Sequence, residues 1–75
     1  MVRLPVVSGR DVVRVLEGLG YVLDRQKGSH IVLRHADPPF RRITVPDHKQ
    51  VAKGTLRAIL RAAGLTIDEF VPLLK

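Results

Sequence analysis

This chain of 75 residues predicts an α+β domain, with elements in the order α-β-β-β-α and a short helix at the end. Three observations lead there. Segments 9–19 and 54–63 carry apolar residues at helical spacing. The three segments between them are short, rich in β-formers and bounded by turn residues. The connections between those three are too short for parallel crossovers, so consecutive strands form an antiparallel meander. Each helix has one apolar stripe, so both helices cover the same face of the three-stranded sheet and leave the other face open.

The elements follow in order. Ser8 and Asp11 have capping-box spacing, in which the serine oxygen accepts from the backbone three residues on. Val12, Val13, Leu16 and Leu19 then recur on one helical face, and Gly20 supplies a left-handed stop. Tyr21 to Gln26 reads as the first strand. Lys27-Gly28-Ser29 is turn chemistry, and His30 to His35 is the second strand. Ala36-Asp37-Pro38-Pro39 is a loop, because proline has no N–H to give a sheet. Arg41 to Val45 is the third strand, ended by Pro46, and 47–52 is irregular. Leu56, Ile59, Leu60 and Ala63 form the stripe of the second long helix, which Gly64 closes. Thr66 and Glu69 repeat the capping box and start a last helix carrying Phe70, Val71, Leu73 and Leu74, which Pro72 shortens or kinks.

Size and charge narrow the function. The length predicts a single domain, residues 1–75, with room for one modest core and no deep cleft for a large cofactor, so none is expected. Thirteen Lys+Arg against seven Asp+Glu give a formal charge of +6. That balance suits a phosphate-rich partner or an acidic protein. The absence of cysteine excludes a disulfide scaffold and a Cys-based zinc site. No segment has the length of a membrane span, and Pro5 interrupts the apolar N-terminus, so a cytoplasmic protein with no membrane partner is expected.

Strand alternation sorts the polar residues. Ile31 and Leu33 face the helices, which puts His30, Val32 and Arg34 on the opposite side; Ile43 and Val45 likewise send Arg42 and Thr44 outward. The open side therefore gathers His30, Arg34 and Arg42, and Lys27 in the adjoining turn can join them. The same pattern also describes an ordinary solvated face. His35 lies at an odd offset from His30 and points the other way, and His48 sits in the loop after the third strand. No clustered ligand spacing predicts a metal site. Lys53, Arg57 and Arg61 line one face of the second long helix, either as a phosphate-tracking stripe or as its solvated side. Tyr21, Phe40 and Phe70 do not interleave with the basic residues, so no base-stacking platform is predicted.

Gly28-Ser29-His30 reads either as a turn leading into an edge-strand histidine on a solvated face or as the bearer of the chemistry. Histidine can both take and give a proton near neutrality. On a rigid strand beside cations, it can cleave a phosphodiester without a metal, because RNA brings its own nucleophile, the 2′-hydroxyl. His30 would act as base or acid; Lys27, Arg34 or Arg42 would stabilise developing charge; Ser29 would orient the phosphate. Gly28 would let the strand start close to the phosphate through a positive φ. Water, Lys27 and His48 are the candidates for the complementary proton carrier.

The stretches "LPVVSGRDVVRVLEGLGY", "RQKGSHIVLRH" and "ITVPDHKQVAKGTLRAILRAAGLTIDEF" resemble the HicA (YcfA-like) family of bacterial toxins over essentially the whole chain. The specific parts are Gly28-Ser29-His30, Val45-Pro46 with His48, Gly54-Thr55-Leu56 and Ala63-Gly64-Leu65. The resemblance implies a double-stranded-RNA-binding-domain-like fold and a ribosome-independent mRNA interferase. It also implies a neutralising HicB antitoxin and a catalytic role for His30. With it, the RNA-binding set is Lys27, Gly28, Ser29, Arg34, Arg42, Lys53 and Arg57. The competing readings are a non-catalytic double-stranded-RNA-binding module, which would need no titrating group at His30, and a partner of an acidic protein with no RNA role.

Overall fold

The computed structural model describes residues 3–74. Its elements are α1 (Gly9–Gly18), β1 (Tyr21–Lys27), β2 (His30–His35), β3 (Arg42–Pro46), α2 (Lys53–Ala63), α3 (Ile67–Phe70) and a final 3-10 turn (Val71–Leu73). The strands form one antiparallel sheet in the order β1-β2-β3. Helix α1 packs against β1 and β3, and α2 packs against β3. This is the α+β, double-stranded-RNA-binding-domain-like arrangement expected, with both long helices on one side of an open sheet.

Burial follows the predicted stripes. Val12, Leu16, Ile31, Leu33, Val45, Leu56 and Phe70 are the largest fully buried side chains. Burying each contributes roughly 1.5–3 kcal/mol before entropy is counted. Val15 also joins the core, widening the α1 stripe beyond the sequence pattern. Helix α3 has only one turn, and Phe70 anchors it in the core. Pro72 falls inside the 3-10 turn, so the last helix is cut short as expected.

One irregularity was not foreseen. The β1–β2 register shifts between Leu23 and Arg25, where Asp24 forms a bulge. Directly opposed residues share a face. Leu23 opposes Leu33 and Gln26 opposes Ile31, on the helix side, whereas Arg25 opposes Val32 and Lys27 opposes His30, on the open side. Strict alternation from Leu23 would have turned Lys27 toward the helices. The bulge reverses the phase and brings Lys27 to the face of His30.

Both capping boxes form. The Ser8 and Thr66 hydroxyls accept from the Asp11 and Glu69 backbones, and the two carboxylates accept in return from the Ser8 and Thr66 backbone N–H groups. These backbone and hydroxyl hydrogen bonds hold Asp11 and Glu69 below the usual carboxylate range. In the unfolded chain the same carboxylates protonate at a higher pH, so acid favours unfolding. Their contribution is complete above the ordinary carboxylate values near 4 and is lost as pH falls through the lowered folded values. The urea midpoint is expected to hold from pH 7 to 5 and drop below about pH 4. An Asp11→Ala, Glu69→Ala double variant is expected to show a shallower acid drop. An equally steep drop in that variant would assign acid sensitivity to other groups.

Candidate active site

His30 is the first residue of the central strand and is exposed. The turn delivering it is as short as a hairpin allows: Lys27 and His30 pair directly across Gly28 and Ser29. Gly28 has φ 58°, and no positive φ occurs at Ser29. A positive φ at the first central residue alone is the pattern of a type II′ hairpin, in which glycine is favoured because it has no Cβ. On its other side His30 opposes Pro46, the last residue of β3. The histidine thus sits between Lys27 and the β3–α2 junction, with its ring free of hydrogen bonds to other described residues.

That junction is tied to the turn from three directions. The Asp47 N–H donates to the Ser29 carbonyl at 2.6 Å. The Asp47 carboxylate accepts from Arg10 Nε at 3.2 Å and Nη2 at 3.0 Å. Gln26 Nε2 approaches the same carboxylate at 3.4 Å and the Gly28 carbonyl at 3.4 Å. A two-pronged arginine–carboxylate contact fixes orientation as well as distance. Asp47 therefore clamps α1, β1 and the Gly28-Ser29 turn together beside His30. His48 follows with an exposed side chain, while its carbonyl accepts from the Gly9 N–H at 2.9 Å. Arg10 and Asp47 are 37 positions apart, which leaves no local signal for this clamp.

The remaining predicted residues divide by position. Arg34 and Arg42 oppose each other on the open face of β2 and β3. They lie four residues along β2 from His30, about 13 Å at the rise of a strand. Lys27 is therefore the predicted cation beside His30, and Arg34 and Arg42 form a second group farther along the same face. Arg42 Nε is already held by Asp24 at 3.1 Å. Lys53 and Arg57 are exposed on α2, in the helical layer on the far side of the sheet. The fold does not bring them together with Arg34 and Arg42.

His35 has a structural role. Its Nδ1 accepts from the Asp37 N–H at 3.0 Å, and its Nε2 lies 3.0 Å from the Leu19 carbonyl. An amide can only donate and a carbonyl can only accept, so the Nε2–H tautomer satisfies both. Its ring also meets Tyr21 edge to face. The expectation that no aromatic accompanies the basic residues needs correction. The Arg34 guanidinium lies 5.4 Å from the Phe40 ring centroid. The loop folds Phe40 back over β2, a contact that strand alternation cannot reveal.

Among the described residues, no group of three or more His, Cys, Asp or Glu could hold a metal ion, and no helix is long and apolar enough to cross a membrane. The exposed, hairpin-mounted His30 thus stands beside Lys27 on the open face of the sheet. A family model described as HicA toxin of bacterial toxin-antitoxin matches residues 9–65, from the start of α1 to just past α2. The chain belongs to this family of bacterial toxins, and the family implies a cognate antitoxin partner. A search of curated proteins found no match.

Proposed function

We propose that this toxin is a metal-independent endoribonuclease and that His30 carries the proton transfer. The observation that supports this most directly is His30 itself, exposed on the rigid central strand with Lys27 as its cross-strand neighbour. The ribose 2′-oxygen attacks the adjacent phosphorus and loses its proton to a base. The bond from phosphorus to the 5′-oxygen breaks, and that oxygen takes a proton from an acid. His30 fills one of these roles. Lys27 stabilises the charge developing on the phosphate oxygens, and the Gly28-Ser29 turn lies against the same phosphate. The complementary proton carrier comes from the same end of the sheet, where Lys27 and His48 are both exposed. Arg34 and Arg42 hold the strand farther along the face. A HicB-like antitoxin neutralises the enzyme by covering this basic surface, with charge pairing mainly raising the association rate.

The test is product analysis in excess EDTA. Cleavage is expected to continue and to leave a 2′,3′-cyclic phosphate or the derived 3′-phosphate. Oligonucleotides of the same sequence in DNA are expected to bind without being cut. Activity that disappears with chelator and returns with magnesium would overturn the mechanism.

A further inference from the structure

We infer that Phe40, backed by Arg34, is a stacking site for one unpaired base of single-stranded RNA. The inference rests on the ribonuclease reading above and names the substrate form that the open face takes. Phe40 is 44% exposed, so much of this aromatic surface is available to a ligand. Its φ is 58°, the left-handed region, and it is the described non-glycine residue with a positive φ. A bulky side chain seldom adopts that conformation, and such outliers cluster at ligand-binding positions. Here the conformation turns the ring back over β2, where the Arg34 guanidinium meets it at 5.4 Å.

Arg34 is the second part of the site. It makes no ion pair among the described residues, and its Nε is shielded from solvent with no hydrogen-bond partner. Its neighbour Arg42, by contrast, is held by Asp24. Arg34 therefore has no anionic partner among the described residues, and its guanidinium carbon lies over the ring, 5.4 Å from the centroid. An aromatic face beside an unpaired cation is the pairing that single-stranded nucleic acid requires: the ring takes a base and the cation takes the backbone. Arg34 and His30 share one face of one strand, so the stacked base lies a few nucleotides from the cleaved bond. A duplex keeps its bases within the stack and presents no free face to Phe40.

The chain contains no tryptophan, so a Phe40→Trp variant reports on this position alone. Fully 2′-O-methylated single-stranded RNA, which lacks the attacking hydroxyl, serves as the probe. Trp emission is expected to be quenched as the oligonucleotide binds, and an abasic nucleotide at one position is expected to remove the quench. Phe40→Ala and Phe40→Leu are expected to weaken binding by about 5- to 150-fold, the range of one base–aromatic stack, with Phe40→Trp close to wild type. Unchanged emission at RNA concentrations that saturate a fluorescence-anisotropy signal would overturn the proposal, as would wild-type affinity in Phe40→Ala. Duplex RNA quenching as strongly as single strands would also overturn it. If the ribonuclease reading itself failed, the wild type would not cut RNA, whether or not it bound it. Failure of the stacking site alone leaves wild-type cleavage intact and affinity indifferent to residue 40.

Discussion

Replacing His30 by alanine is expected to lower the rate of RNA cleavage by about 10²–10⁴-fold, the usual worth of a positioned proton donor or acceptor. The fold should barely respond. The side chain is exposed and makes no hydrogen bond to the described residues, and such surface positions usually change stability by no more than about 0.5 kcal/mol. Activity and stability should therefore separate, with the unfolding midpoint near wild type and cleavage nearly absent. Induction of the two forms in cells should show the same contrast, with growth arrest and mRNA loss for wild type alone. Purified His30→Ala cutting RNA within about threefold of wild type, well short of the expected loss, would remove His30 from the mechanism.

The second large effect is on the fold. A Cβ added at Gly9 would lie 2.0 Å from the Pro46 carbonyl oxygen, 3.0 Å from its carbonyl carbon and 3.1 Å from Asp47 Cα. All three are backbone atoms, so no side chain can swing aside. Helix propensity favours alanine by up to about 1 kcal/mol, but overpacking against a fixed backbone costs about 1–3 kcal/mol or more. The clash outweighs the propensity gain. Gly9→Ala is expected to lower the thermal midpoint by roughly 5–15 °C, given about 4–8 °C per kcal/mol at this size. It should also slow cleavage, because the displaced segment includes Asp47, which holds the Ser29 carbonyl. Gly54→Ala is the control. It too lies in a helix, but nothing approaches its added Cβ within 4 Å. That variant is expected to gain about 0.4–1 kcal/mol. A Gly9→Ala protein as stable as wild type would mean that the α1–β3 contact yields more easily than its geometry implies.

These two glycines show where sequence reading stops. Both sit at helix starts, yet only the tertiary structure tells the close contact from the open position. What the sequence made legible is local chemistry. The Ser8–Asp11 and Thr66–Glu69 caps span three residues, and the Gly28-Ser29 turn requires only its own backbone. Amphipathic stripes placed both long helices, and alternation put His30 and Arg34 on one face. Three features were hidden. The Asp24 bulge falls in a largely exposed strand, where no run of buried residues marks the change of phase. The Arg10–Asp47 clamp joins segments from opposite halves of the chain. Phe40 depends on a left-handed backbone in a loop, which its residue type does not suggest. The grouping of Arg34 and Arg42 with His30 holds in face but not in distance: the four-residue step from His30 to Arg34 already separates them by about 13 Å at the rise of a strand.

The two connections of the sheet differ in how they tolerate change. The Gly28-Ser29 turn admits no added residue: one insertion would shift the pairing and turn His30 away from Lys27. The loop at 36–41 has no such constraint, since its length can vary while β2 and β3 keep their register. His30, the proposed catalytic group, is thus mounted on a connection of fixed length, and Phe40, the proposed stacking group, is mounted on one that can be rewritten. On the proposed reading, variants with a new loop would grip single strands with different strength while keeping the same scission chemistry, so substrate grip and catalytic competence can be engineered separately.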